Sequence, residues 1–387
     1  MNLVENMSTC LVIPTGDPED PDAPKGLVPL YWGPPGIGKS RLMKTAARSA
    51  LLHLELVFAG TKQPDDFSIP MPDGLGGITV ISGLPQIRTL IAKGEGVLCL
   101  DEISCARPAV QSALLSLILD RQAGDITLPP SVRMVAAANP ADVAAGGWDL
   151  EPPMANRFLH FDFPCPSPDA WVKWFIQEGG SKVEAASDLW AKVATNWPSA
   201  WPRAKGLFAG FITKRGSDLL HKLPEEGDPA RGRAWPSPRT WEMAARAYAT
   251  CHALGRAHIA AGFVEGAVGE GAADEFATWV RESDLPSPED MLRNGWKPSR
   301  NRLDIAIAAY TAMTAYVVRR PDSQEQRALA IPAWKNLQVA CESGLTDIAL
   351  AAADSLVNAD LADEDDAPLF DAARPVIRKL MPLAPVI

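Results

Sequence analysis

Gly33-Pro34-Pro35-Gly36-Ile37-Gly38-Lys39-Ser40 is the stretch with the most specific chemistry in the chain. Glycine, any four residues, then glycine, lysine and serine is the spacing of a phosphate-binding loop. Pro34 and Pro35 have no N–H to give, so the anion-binding amides must come from Gly36 through Ser40, aided by a helix dipole. Lys39 would add a mobile positive charge, and Ser40 a hydroxyl ligand for magnesium. A second group is Val97-Leu98-Cys99-Leu100-Asp101-Glu102, an apolar run ending in two acids. Asp101 suits a metal, directly or through water, and Glu102 suits polarising a water that attacks a γ-phosphate. A third is Met134 to Ala138, which ends at Asn139-Pro140; the Asn139 amide could hydrogen-bond the γ-phosphate or that water. Arg157, in Ala155-Asn156-Arg157-Phe158, and Arg239, in Ser237-Pro238-Arg239-Thr240, carry charge that could neutralise a phosphoryl-transfer transition state. Ser237 as N-cap and Pro238 at the first helical position would fix where Arg239 emerges.

Positioning these groups takes strands that end at the loop and helices that leave it. The apolar stretch Leu27 to Trp32 reads as a buried strand, and Arg41 to Leu52 as a helix. Further strands are expected at Leu54 to Phe58, Gly96 to Leu100, Val132 to Ala138 and Phe158 to Phe163. Helices are expected at Leu84 to Lys93 and Pro108 to Asp120. This alternation predicts an α/β fold with a parallel sheet covered on both faces, and strand ends are where such a sheet places ligands. Between Thr61 and Gly83 lies a long Pro-, Asp- and Gly-rich loop with Gly74-Leu75-Gly76-Gly77 near its middle. From Pro164 onward helical spacing takes over, predicting an all-helical second domain. The tryptophans there, among them Trp171, Trp174, Trp190, Trp197, Trp201 and Trp241, read as helix packing. Asp360 to Pro368 reads as an acidic turn, and Leu369 to Leu380 as one more helix.

A net charge of −10 over 387 residues argues against a protein that coats nucleic acid. The six cysteines show no Cys-x-x-Cys pair and no histidine at metal-ligand spacing, so they read as buried thiols in a reducing compartment. No stretch approaches the roughly 18 apolar residues of a membrane span. The start of the chain has no basic segment leading into an apolar run, so the expected location is cytoplasmic and no membrane is expected. Residues 1–26, with Asp17, Glu19, Asp20 and Asp22 among prolines, are expected to form an acidic, irregular lead along the surface.

Taken in order, Gly33 to Ser40, Leu100-Asp101-Glu102-Ile103-Ser104, Ala137-Ala138-Asn139-Pro140, Pro152-Pro153-Met154-Ala155-Asn156-Arg157-Phe158 and Ser237-Pro238-Arg239 resemble the MoxR family of AAA+ ATPases. The resemblance implies a P-loop AAA+ domain over 27–165, with the family's helix-2 insert near 65–81, then a helical lid and C-terminal region over 166–387. It implies ATP and Mg2+ as cofactors. Lys39 and Ser40 would be Walker A, Asp101 and Glu102 Walker B, Asn139 sensor 1, Arg157 the arginine finger and Arg239 sensor 2. It further implies a homo-oligomeric ring, commonly a hexamer, and chaperone-like remodelling of a client. The ATPase would often act alongside a von Willebrand factor A domain protein, and metal insertion is one such task. The residues alone leave two alternatives: a nucleic-acid-acting AAA+ motor, or an assembly scaffold that binds ATP with little turnover.

Overall fold

The computed structural model describes residues 3–14, 27–67, 69–72, 77–81, 83–140, 143, 147–169, 172, 184–318, 323–359 and 367–380. Part of the expected acidic lead, the glycines near 74–76, Trp171, Trp174 and most of the acidic turn at 360–368 lie outside the described residues.

Helix α1, Leu3–Cys10, opens the described chain. The sequence reading expects irregular surface backbone here, and the structure corrects it: Met7, Cys10, Leu11, Val12 and Ile13 are all buried. Strand β1, Val28–Trp32, follows, then the phosphate-binding loop and α2, Lys39–Ser49, which starts two residues earlier than the composition suggests. Next come β2, Leu54–Phe58, and an antiparallel hairpin of β3, Ile69–Pro72, and β4, Ile78–Ile81. Helix α3, Pro85–Lys93, leads into β5, Gly96–Asp101, and helix α4, Pro108–Leu119, into a small hairpin of β6, Gln122–Ala123, and β7, Ile126–Thr127. Strand β8, Val132–Ala138, the single turn α5, Pro152–Ala155, and β9, Phe158–Asp162, complete the α/β part.

The five-stranded sheet has the order β2-β5-β8-β1-β9, and every pairing in it is parallel. Its central strands are mainly apolar because both faces are covered, with Arg133 of β8 an exception, its guanidinium lying over the Trp190 ring. Leu30, Leu98, Leu100, Met134 and Ala136 face one core with Leu84, which caps α3, and with Ile87, Leu90, Val110 and Leu114 of α3 and α4. On the opposite face the Cys99 thiol donates to Met43 Sδ of α2 at 3.0 Å.

The remaining elements are helices: α6, Ala186–Leu219; α7, Pro238–Ala253; α8, Ala260–Val268; α9, Glu270–Glu282; α10, Pro288–Asn294; α11, Leu303–Val318; α12, Ser323–Glu342; α13, Thr346–Val357; and α14, Ala367–Leu380. The chain therefore carries the expected α/β nucleotide-binding fold followed by a helical region. Contacts divide it into two compact units, Met1–Val193 with Lys222–Ala272, and Ala194–His221 with Ala273–Ile387. Helices α7 and α8, which the sequence reading assigns to the helical domain, thus belong to the first unit, where α8 packs on β9. In the second unit Tyr310, Met313, Trp334, Leu337 and Val376 form a separate helical core.

Trp197 and Trp241 are buried, as their packing role requires, and Trp197 stacks on Trp201 with centroids 5.5 Å apart. Cys10, Cys99, Cys251 and Cys341 are buried free thiols, whereas Cys105 is half-buried and Cys165 exposed, which corrects the reading of all six as buried. No described helix is long and apolar enough to cross a membrane.

Candidate functional site

At the carboxyl edge of the sheet the backbone leaves β1 through Gly33, whose N–H donates to Ala138 O at 3.1 Å. A β-carbon on Gly33 would stand 2.5 Å from Phe163 O, so only glycine fits that close approach. Gly36 at φ 81° and Gly38 at φ 101° take left-handed conformations. Such alternation turns successive N–H groups toward one concavity, the backbone pattern of an anion-binding nest, and α2 begins immediately after it.

Lys39 is buried, and its ammonium donates to Gly33 O at 2.6 Å, Pro34 O at 2.8 Å and Asn139 Oδ1 at 2.7 Å. Burial lowers its pKa, while Asp101 and Glu102 oppose that shift. Ser40 Oγ donates to Asp101 Oδ2 at 2.6 Å, and Asp101 Oδ1 accepts the Glu102 N–H at 2.9 Å. Asn139 N–H in turn donates to Ser104 Oγ at 3.0 Å, and Ser104 O accepts from Trp148 N–H at 2.7 Å. The contacts close a circuit: loop, Lys39, Asn139, Ser104, the Asp101-Glu102 turn, and Ser40 back to the loop. Ser104 is the member that residue type alone did not single out. A serine after two acids carries no distinctive signal until its fold partner is known.

Glu102 sits half-buried at φ 56° and ψ 39°. A non-glycine residue held in the left-handed region costs on the order of 1–3 kcal/mol and persists only where surrounding structure imposes it. That backbone turns the chain sharply out of β5 into the 3-10 turn Ile103–Cys105, so Glu102 and Asp101 project differently from one strand end.

Ser40 Oγ and the Asp101 carboxylate are adjacent hard oxygen donors, a set that suits magnesium. Among the described residues no group of three or more His, Cys, Asp or Glu side chains could hold a metal by itself.

Arg157 and Arg239 are not brought to this edge. In the β1–β9 register Val28 pairs with Phe158 and Trp32 with Asp162, so Arg157 precedes the amino end of β9 while Gly33 follows the carboxyl end of β1. The separation is about 20 Å of strand at about 3.3 Å per residue. Arg157 is half-buried; its Nη1 donates to Pro153 O and its Nε is buried without a hydrogen-bond partner. Burial and the nearby Arg239 guanidinium lower its pKa, with Asp120 acting the other way. Arg239 is exposed in the first turn of α7, where the expected cap is present. Ser237 Oγ accepts from Thr240 N–H at 3.2 Å, and Thr240 Oγ1 accepts from Ser237 N–H at 2.8 Å. The two arginines therefore share the amino edge, remote from the Lys39 circuit of their own chain.

The fold and the Lys39 circuit define a P-loop α/β nucleotide-binding protein with a helical C-terminal region. No protein-family description matches the chain, and no curated protein matches it. Among solved structures it is similar to a candidate ATPase from Cytophaga hutchinsonii, at 14% identity over 73% of this chain and 89% of that one, with a TM-score of 0.46. A likeness at that level carries no argument about what this chain does.

Proposed function

We propose that the chain is an ATP hydrolase of the MoxR type of AAA+ machine, which acts as a homo-oligomer, commonly a hexameric ring, to remodel or activate a client protein. The observation that carries the reading is the closed circuit joining Lys39, Asn139, Ser104, Asp101 and Ser40 at the carboxyl edge, where an open parallel sheet binds its ligands. Lys39 exchanges carbonyl partners for phosphate oxygens, and the amides of Gly36 through Ser40 share the remaining charge. Ser40 and Asp101 hold magnesium, which supplies charge neutralisation on the phosphates. Glu102 orients and polarises the attacking water, and Asn139 fixes that water or the γ-phosphate. Arg157 and Arg239 lie too far from their own loop to serve it. They are supplied to the nucleotide of another copy, so hydrolysis requires assembly. The client is a protein, and a von Willebrand factor A domain protein is a suitable partner.

The test is phosphate release from ATP and magnesium by the purified chain, with molar mass followed by light scattering with and without a slowly hydrolysed analogue. Turnover that rises with assembly and vanishes in Lys39→Ala is the expected result. Turnover equal in wild type and Lys39→Ala, or full activity in a monomer, overturns the reading.

A further inference from the structure

Asn156 is 5% exposed and spends both ends of its amide on one short segment. Its Oδ1 accepts from Ser237 Oγ at 2.9 Å, and its Nδ2 donates to Trp235 O at 3.3 Å. Thr240 Oγ1 donates to the same carbonyl at 3.0 Å, so Asn156, Trp235, Ser237 and Thr240 form one buried polar network. Arg157 follows Asn156 directly, and Arg239 stands two residues beyond Ser237. A bond between side chains 81 residues apart in sequence thereby joins the segments that carry the two cations.

We infer that Asn156 is a positioning residue that, through Ser237, locks Arg157 and Arg239 into a single paired cation presented to a neighbouring copy's nucleotide. The inference rests on the proposed ATPase reading and adds a residue to it. The α7 cap does not need Asn156, because Ser237 and Thr240 satisfy each other's backbone N–H groups. The turn does not need it either: His160 Nε2 donates to Ala155 O at 2.9 Å and Arg157 Nη1 to Pro153 O. Burying an amide is costly unless its partners are present, so an apolar side chain would serve a purely structural turn as well. What Asn156 adds is a fixed spacing between two like charges. The two guanidiniums repel, and side chains left to separate would misplace the charge that phosphoryl transfer requires.

The experiment compares wild type, Asn156→Ala, Ser237→Ala, the double variant, Ser237→Thr and Ser237→Asp, each checked for native circular dichroism. Expected are a kcat lower by about 10- to 100-fold in Asn156→Ala, as for a misplaced catalytic group, and ATP affinity within about threefold of wild type. The double variant should be within about threefold of the slower single, because each single already breaks the Asn156–Ser237 bond. Ser237→Thr keeps the hydroxyl and should keep turnover within about threefold. Mixing Asn156→Ala with Lys39→Ala chains should restore activity, since each supplies what the other lacks. If Asn156→Ala fails to fold, the contrast between Ser237→Thr and Ser237→Asp decides, because both keep a cap acceptor and only threonine keeps the hydroxyl donated to Asn156 Oδ1. Slower turnover in Ser237→Asp alone supports the inference, and equal turnover overturns it. Wild-type turnover with Asn156→Ala unchanged, or losses that multiply in the double variant, overturns this inference alone. Absence of wild-type turnover overturns the ATPase reading and this inference with it.

Discussion

The Trp32 indole N–H donates to His160 Nδ1 at 2.9 Å, linking the last residue of β1 to the strand that follows the Arg157 turn. Nδ1 must be bare to accept that bond, so Nε2 carries the hydrogen given to Ala155 O. Burial holds the imidazole pKa at about 4, against an ordinary 6.5. Above about pH 6.5 folded and unfolded chains are both neutral here, and no penalty exists. As pH falls from about 6.5 to 4 only the unfolded chain takes the proton, so stability drops, by about 3 kcal/mol in full. His160→Gln should flatten this loss in urea midpoints taken between pH 7 and 4.5. Parallel pH curves for the two proteins would contradict the assignment.

Glu102→Gln removes the carboxylate and leaves Ser40, Asp101 and Lys39 in place. Turnover should fall by about 10² to 10⁴, the contribution of a positioned base. ATP affinity measured by calorimetry should change little. A matching loss of affinity would mean that Glu102 serves binding instead.

Ser104→Ala leaves the buried Asn139 N–H without its acceptor. The cost should be about 1–3 kcal/mol in chemical denaturation, with slower turnover as the Asn139 amide loses its anchor. Unchanged stability would show that another acceptor takes over.

Arg157→Ala and Arg239→Ala should each bind ATP with near-normal affinity yet hydrolyse it slowly, with Arg157→Ala lower by about 10³ to 10⁵. Mixed with Lys39→Ala, either should regain turnover. Mixtures as inactive as their components would argue that the arginines act within one chain, against the β1–β9 register.

The phosphate loop was legible because its signal is local: the glycine, lysine and serine spacing between an apolar strand and a helix, although the helix starts at Lys39 and not at Arg41 as expected. The sheet strands were legible because burial on both faces demands unbroken apolar runs, as in Val97 to Leu100. Helix α1 was hidden by Glu5, Asn6, Ser8 and Thr9, whose polar side chains suggest solvent, whereas Asn6, Ser8 and Thr9 are buried. The β3–β4 hairpin was obscured by Pro70 and Pro72, which a two-stranded ribbon tolerates where a central strand would not. The joining of Arg157 to Arg239 and the role of Ser104 rest on tertiary contacts, which no spacing rule encodes.

Helix α1 packs against β1, α2 and α7, and the guanidinium of Arg256 donates to Thr9 Oγ1 at 2.7 Å and Ser8 Oγ at 3.0 Å. The contact to Thr9 spans 247 residues. At roughly 5–20 residues per second of synthesis, α1 waits about 12–50 s after it is made for the segment that carries Arg256. Meanwhile the Ser8 and Thr9 hydroxyls lack the guanidinium that joins them in the folded chain. Folding of the first unit therefore cannot finish until a segment 247 residues beyond Thr9 has been made.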